Sequence, residues 1–303
     1  MVERKPINDR QKRINEREAK KAAYEAQVQA YVQEELRKRE RRRRIIIGLC
    51  GIFGAVCLIY VGFYGYEDYR TRKSYEEMAG MKGDENGQNL PPSLTNDSPT
   101  INFTKDDKEA PEVLEEYKKL YNTNKKLIGW LKIDDTNINY PVMQTNNNEY
   151  YLDHNINQEK DRNGALFLDK DCDVIKRSTN LIIYGHHMKS GRMFGNLDDY
   201  ESKEYYKKHS VIEFDTIYEK GTYEIMYVFR SRVFKESDVV FKYYQFIDCY
   251  SEQEFISNMQ EMEALSLYDT GVKAEYGDQL LTLSTCDSTV DDGRFVVVAK
   301  KIK

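Results

Sequence analysis

A chain of 303 residues with 40% hydrophobic side chains, 24 Tyr and 12 Phe is long and apolar enough for one sizeable packed domain plus appendages, which excludes a chain without a core. The net charge of −5 hides a split. Residues 1–44 hold 15 Lys and Arg against 8 Asp and Glu, whereas the remainder holds 31 against 43, so two environments are implied.

Residues 9–44 are rich in Glu, Lys, Arg, Ala and Gln and contain no Gly or Pro, which predicts a charged helix. Basic residues there invite a nucleic-acid reading. A solvated helix whose arginines set topology and touch anionic lipid heads is favoured instead, and no nucleic-acid partner is expected. Residues 45–64, IIIGLCGIFGAVCLIYVGFY, run for twenty positions without a charge. That is about the 20 residues a helix needs to cross a bilayer. Arg41 to Arg44 precede the run, and Glu67 and Asp68 follow it. The positive-inside bias therefore predicts a single-pass protein of the cell membrane with a cytoplasmic N-terminus and an extracellular C-terminal part. A cleaved signal peptide fits less well, because the run is long, follows 44 residues and lacks a small-residue cleavage site.

Residues 83–111 are polar and proline-bearing and read as a flexible stalk. The expected division is a charged helical tail over 1–44, a transmembrane anchor over 45–65, an extracellular linker over 66–111 and a folded domain over 112–303. That domain opens with a helical pattern, VLEEYKKLYNTNKKL. Short β-like runs follow at 127–133, 137–144, 164–169, 180–186, 211–217, 221–234, 279–286 and 294–302. A long insertion before the seventh run carries the helical segment SEQEFISNMQEMEALSLY. The fold class is thus mainly β with peripheral helices, a barrel or sandwich of eight strands. Of five cysteines, Cys50 and Cys57 sit in the anchor, which leaves an odd three outside, so at least one is free or pairs elsewhere. No CxxC or Cys/His cluster points to a metal, and no cofactor is expected.

The stretch TLSTCDS carries the chemistry. On a strand over 279–286, alternation puts Leu280, Thr282, Ser284 and Cys286 on one face. Residues 287–293 can close a hairpin, which would set Arg294 beside Cys286. Such an arginine can lower the thiol pKa, stabilise an oxyanion or hold a substrate carbonyl. Taken alone, the pair reads more readily as a buried thiol and an arginine at a strand end. His186 shifts that balance. It ends the apolar run NLIIYGH and shares a face with Asn180, Ile182 and Tyr184, whereas alternation puts His187 on the opposite face. Cys, His and Arg at strand ends form a set suited to thiol acyl transfer. Asp287 either orients His186 or starts the turn.

These residues resemble the sortase family. TLSTC at 282–286 is similar to the TLxTC signature, with an arginine downstream at 294, and YGHHM at 184–188 resembles the histidine segment. GWLKIDDTNINYPVMQTNNNEYYLDHN, NGALFLD and the helix-containing insertion resemble class B sortases, over about 112–303. The resemblance implies a sortase-like eight-stranded barrel and a cysteine transpeptidase of the Gram-positive cell surface. Such an enzyme cleaves a sorting signal after Thr through a thioester and transfers the surface protein to an amine, usually of a lipid-linked peptidoglycan precursor. It implies Cys286 as nucleophile, His186 as general acid/base and Arg294 as stabiliser. Substrate contacts follow at Tyr184, Ser284, Asn148 and Leu152, with Tyr244 proposed from the insertion. A pilin polymerase using a pilin lysine, a silent scaffold binding sorting peptides and a cysteine protease are the alternatives.

Overall fold

A computed structural model describes residues 7–82, 111–287 and 289–303. In chain order the elements are α1 (Ile7–Met81), α2 (Glu115–Thr123), β1 (Leu127–Lys132), β2 (Asn139–Met143), β3 (Leu166–Leu168) and β4 (Asn180–Tyr184). Then come α3 (Lys203–Lys208), β5 (Val211–Thr216), β6 (Thr222–Arg232), α4 (Glu252–Leu265), β7 (Leu280–Asp287) and β8 (Gly293–Lys301). The chain divides into two compact units, residues 1–70 and 71–303.

In the first unit, α1 is apolar on every side across the uncharged run. Phe53, Leu58 and Ile59 are all more than 70% exposed, so no protein surface covers them. This helix is long and apolar enough to cross a membrane. The segment expected as a linker over 66–111 begins instead as helix, because α1 continues to Met81. Its last turns belong to the second unit, where Tyr75, Met78 and Met81 are buried and Thr71 Oγ1 donates to Asp161 at 2.6 Å. The remainder of the expected linker, 83–110, lies outside the described residues.

Eight strands among the described residues close a barrel in the order β1-β2-β3-β4-β7-β8-β6-β5. The β2–β3 and β4–β7 pairs are parallel and the other pairs antiparallel. Each strand falls within or beside a run marked by β-branched and aromatic residues. Two apolar layers explain the near-continuous character of β7 and β8. Leu281, Leu283, Phe295 and Val297 fill the interior, while Leu280, Val296 and Val298 face outward into a second cluster with Phe255, Met259 and Met262 of α4. Burying each of those α4 side chains is worth about 1.5–3 kcal/mol, so the insertion is fastened to the outside of the barrel. Ser251 caps α4 by accepting from Glu254 N, and Glu254 reaches back to Tyr250 N at 3.0 Å. The short α3, capped by Ser202, was not marked in the sequence reading.

Candidate active site

The outward face of β7 carries Leu280, Thr282, Ser284 and Cys286 in alternation. α4 and its neighbours cover the first of these, and the chain leaves Cys286 exposed at the far end. On one side the antiparallel register pairs Cys286 with Arg294 of β8. On the other side β4 runs parallel to β7, in steps from Asn180↔Leu280 to Tyr184↔Ser284. Gly185 N continues that alignment by donating to Ser284 O at 3.2 Å, and Thr285 Oγ1 donates to Gly185 O at 2.7 Å. His186 therefore leaves β4 level with Cys286, and the three side chains line one cleft of about 480 Å³.

A hydrogen bond of 2.6 Å joins His186 Nε2 to the Leu152 carbonyl. A carbonyl oxygen only accepts, so Nε2 carries a proton and Nδ1 is the nitrogen left to exchange one. Gly164 permits this arrangement. Its φ is +59°, and a Cβ there would lie 2.3 Å from Tyr151 O and 3.2 Å from His186 Cδ2. Arg294 donates through Nη1 to Gly293 O at 2.8 Å, which ties one edge of the guanidinium to its own turn.

Ser284, Tyr184, Asn148, Leu152 and Tyr244, read from the sequence as substrate contacts, also line this cleft. Tyr184 O–H and Asn148 Nδ2 both donate to Asp169 Oδ2, at 3.0 and 2.9 Å. The Tyr244 hydroxyl oxygen accepts from Phe234 N at 3.1 Å. The sequence reading missed Tyr243. It is buried behind Ser284, with 2.7 Å between the hydroxyl oxygens, and burial pushes its hydroxyl pKa up to about 12. The tandem tyrosines of KYYQF were the available signal, but outside a strand alternation does not say which one turns inward. It also missed the Leu152 carbonyl, because a main-chain acceptor leaves no mark on residue type.

Of the two roles weighed for Asp287, the structure supports the turn. Its Oδ1 accepts from Thr289 N at 2.9 Å, and Oδ2 is ion-paired with Arg230 of β6, so the carboxylate is engaged away from His186. Burial alone would raise this carboxyl. The Thr289 hydrogen bonds and Arg230 outweigh it and hold the pKa below the usual value. His187 turns from the cleft toward Asp198, at 3.0 Å.

All five cysteines among the described residues are free. Cys172 is a buried thiol that accepts from Ile182 N at 3.4 Å, and burial pushes its pKa up to about 12. Cys286 differs in being reachable. Among the described residues no three His, Cys, Asp or Glu side chains gather into a set able to hold a metal ion.

A reachable thiol at a strand end, with an imidazole and a guanidinium in its own cleft, defines a class of protein that transfers acyl groups through sulfur. The family model described as Sortase domain matches residues 131–302, and the chain belongs to the sortase family. It is 32% identical over 198 residues to sortase B of Staphylococcus aureus, covering 65% of this chain and 78% of that protein. It is 35% identical over 193 residues to sortase B of Listeria monocytogenes, covering 63% and 76%. Among solved structures, sortase B from B. anthracis in complex with AAEK1 superposes with a TM-score of 0.62 at 32% identity, over 78% of this chain and 99% of that one. The Staphylococcus aureus sortase B–substrate complex gives 0.62 at 29% identity, with the same coverage. The chain is a class B sortase, a cysteine transpeptidase that anchors surface proteins.

Proposed function

We propose that Cys286 is the nucleophile, His186 the general acid/base and Arg294 the oxyanion and substrate stabiliser of this transpeptidase. The observation that carries the reading is the strand register, β4–β7–β8, which brings the chain at His186 and Arg294 to either side of Cys286. Cys286 Sγ, as thiolate, adds to the carbonyl carbon of the Thr in a sorting signal. The C–N bond breaks as protonated His186 gives its Nδ1 proton to the leaving amine, and a thioester remains. An acceptor amine then adds to the thioester carbonyl, His186 takes up the amine proton, and the thiolate departs with a new amide formed. No oxidant or reductant is needed.

The acceptor in this reading is an amine of a lipid-linked peptidoglycan precursor, and Tyr184, Ser284, Asn148, Leu152 and Tyr244 contact the sorting peptide. Residues 45–65 hold the enzyme in the cell membrane, with its N-terminus cytoplasmic and the domain over 112–303 outside. Incubation of the protein with fluorogenic peptides bearing NPQTN-like or PxTG-like signals, with and without an amine, tests the assignment. Turnover disappears in Cys286→Ala, and a ligated product forms only with the amine. Turnover at the normal rate in Cys286→Ala sinks it. Preference for a pilin lysine over a peptidoglycan-type amine replaces wall anchoring by pilus assembly.

A further inference from the structure

Asp169, which the proposed chemistry does not use, follows β3 and is 5% exposed. Its main chain is pinned from both sides. Asp169 N donates to Ile182 O at 2.8 Å, and Asp169 O accepts from Gln144 Nε2 at 2.8 Å. The carboxylate is satisfied by neutral donors. Oδ1 takes the Asp171 amide at 2.9 Å, while Oδ2 takes both Asn148 Nδ2 and Tyr184 O–H. The adjacent lysine, Lys170, pairs with Asp171 instead, at 2.6 Å.

Two consequences follow for the cleft wall. Asn148 Oδ1 accepts from Lys170 N at 2.8 Å, so both ends of that amide are assigned and its orientation is fixed. One Nδ2 hydrogen goes to Asp169 and the other remains for a ligand. Tyr184 spends its only hydrogen on the same carboxylate, which leaves its oxygen as an acceptor. Burial first, and Asp169 second, push the Tyr184 hydroxyl well above the ordinary tyrosine value, so it stays a donor to Asp169 at any working pH. One buried carboxylate thus gives two neighbouring cleft residues opposite polarity, a donor from Asn148 and an acceptor from Tyr184.

We infer that Asp169 is a positioning residue for recognition of the sorting peptide, acting through Asn148 and Tyr184 and not on the thiol chemistry. The inference rests on the proposed role of those two side chains in the peptide cleft. A buried carboxylate accepting two side-chain hydrogen bonds holds both partners in one rotamer, as a preorganised site requires. An amide in its place offers one oxygen to three donors and turns an NH2 group toward the rest, so the two side-chain hydrogen bonds cannot both be kept in their present geometry.

Kinetics of the full chain with a sorting-signal peptide and an amine acceptor test this. Asp169→Asn is expected to raise KM for the peptide about tenfold, with kcat within about twofold of wild type. The reversed pair, Asn148→Asp with Asp169→Asn, rebuilds the hydrogen bond between the two positions but removes the cleft donor. Its thermal midpoint is expected to return toward wild type while KM stays raised, which ties the raised KM to the lost cleft donor and not to lost stability. Unchanged KM in Asp169→Asn, a fall in kcat alone, or wild-type KM in the reversed pair overturns the inference. If Asn148→Ala raises KM and Asp169→Asn does not, only the inference fails. Turnover surviving in Cys286→Ala instead removes the catalytic reading beneath it.

Discussion

The bond from His186 Nε2 to the Leu152 carbonyl assigns the two ring nitrogens before any substrate arrives. Fixing one proton leaves a single nitrogen for acid–base exchange, so the ring does not have to change tautomer during turnover. Arg294 is constrained differently. Its Nη1 is tied to the Gly293 carbonyl, so the planar guanidinium meets the cleft along its remaining edge. A lysine ammonium is a point charge on a flexible stem and cannot present such an edge. Arg294→Lys is therefore expected to lower kcat/KM about 100-fold, the order seen when one oxyanion donor is lost, while thermal stability holds. Near-normal turnover of the sorting peptide in that variant would remove the directional role. The neighbour relation between Cys286 and Arg294 was legible in the sequence, because a seven-residue connection between two alternating runs leaves few other pairings. The Leu152 carbonyl and the Asp169 carboxylate were not, because their partners lie 34, 21 and 15 positions away.

Strands supply the reference frame for these side chains, and short runs of β-branched and aromatic residues between polar turns made all eight of them readable, with alternation assigning the faces. What alternation omits is which strand lies beside which. Parallel pairing of β4 with β7 is set by barrel closure across 100 residues of chain, so no local pattern announces that His186 ends level with Cys286. The same limit hid the partner of Asp287. Arg230 on β6 reaches past β8, with its guanidinium 5.3 Å from the centre of the Phe295 ring, to pair with Asp287 and with Glu201. This clasp lies on the opposite face of the sheet from Cys286 and fastens the end of β7 directly behind the thiol. Arg230→Met is expected to lower stability by about 2 kcal/mol, since the Asp287 side chain is only 6% exposed and is left without its charged partner. It should also reduce kcat about tenfold through looser Cys286–Arg294 spacing. Urea unfolding and steady-state kinetics measure the two effects, and lost stability with unchanged kcat confines the clasp to folding. The pH dependence has a definite sign. The folded Asp287 pKa is depressed, so the clasp contributes fully above the unfolded value of about 3.9 and is lost only as pH falls through the lower folded value. Wild-type unfolding should lose this contribution in acid, and Arg230→Met should show a flatter profile there.

At the scale of the whole chain, two segments differ in surface character. Twenty uncharged residues of α1 span about 30 Å at 1.5 Å per residue, close to the hydrocarbon thickness of a bilayer. Every side of that stretch is apolar, which a coiled coil or a surface helix does not require. Described residues of the second unit instead bury their apolar side chains in two clusters, and the sequence over 71–303 carries a net negative charge. A negative domain is repelled by anionic lipid heads, whereas the basic residues 1–44 are attracted to them, so the charge split fits the proposed placement of the two flanks on opposite sides of the membrane. Under the proposed topology Arg41 to Arg44 stay with the cytoplasmic leaflet. Protease added to intact cells should then degrade the domain over 112–303 while an epitope within residues 9–40 survives until the cells are opened. Replacing Arg41 to Arg44 with asparagine should weaken that asymmetry, because the bias depends on Lys and Arg close to the span and little on acidic residues. Degradation of the N-terminal epitope on intact cells, with the barrel protected, would invert the topology and separate the enzyme from any acceptor presented outside the membrane.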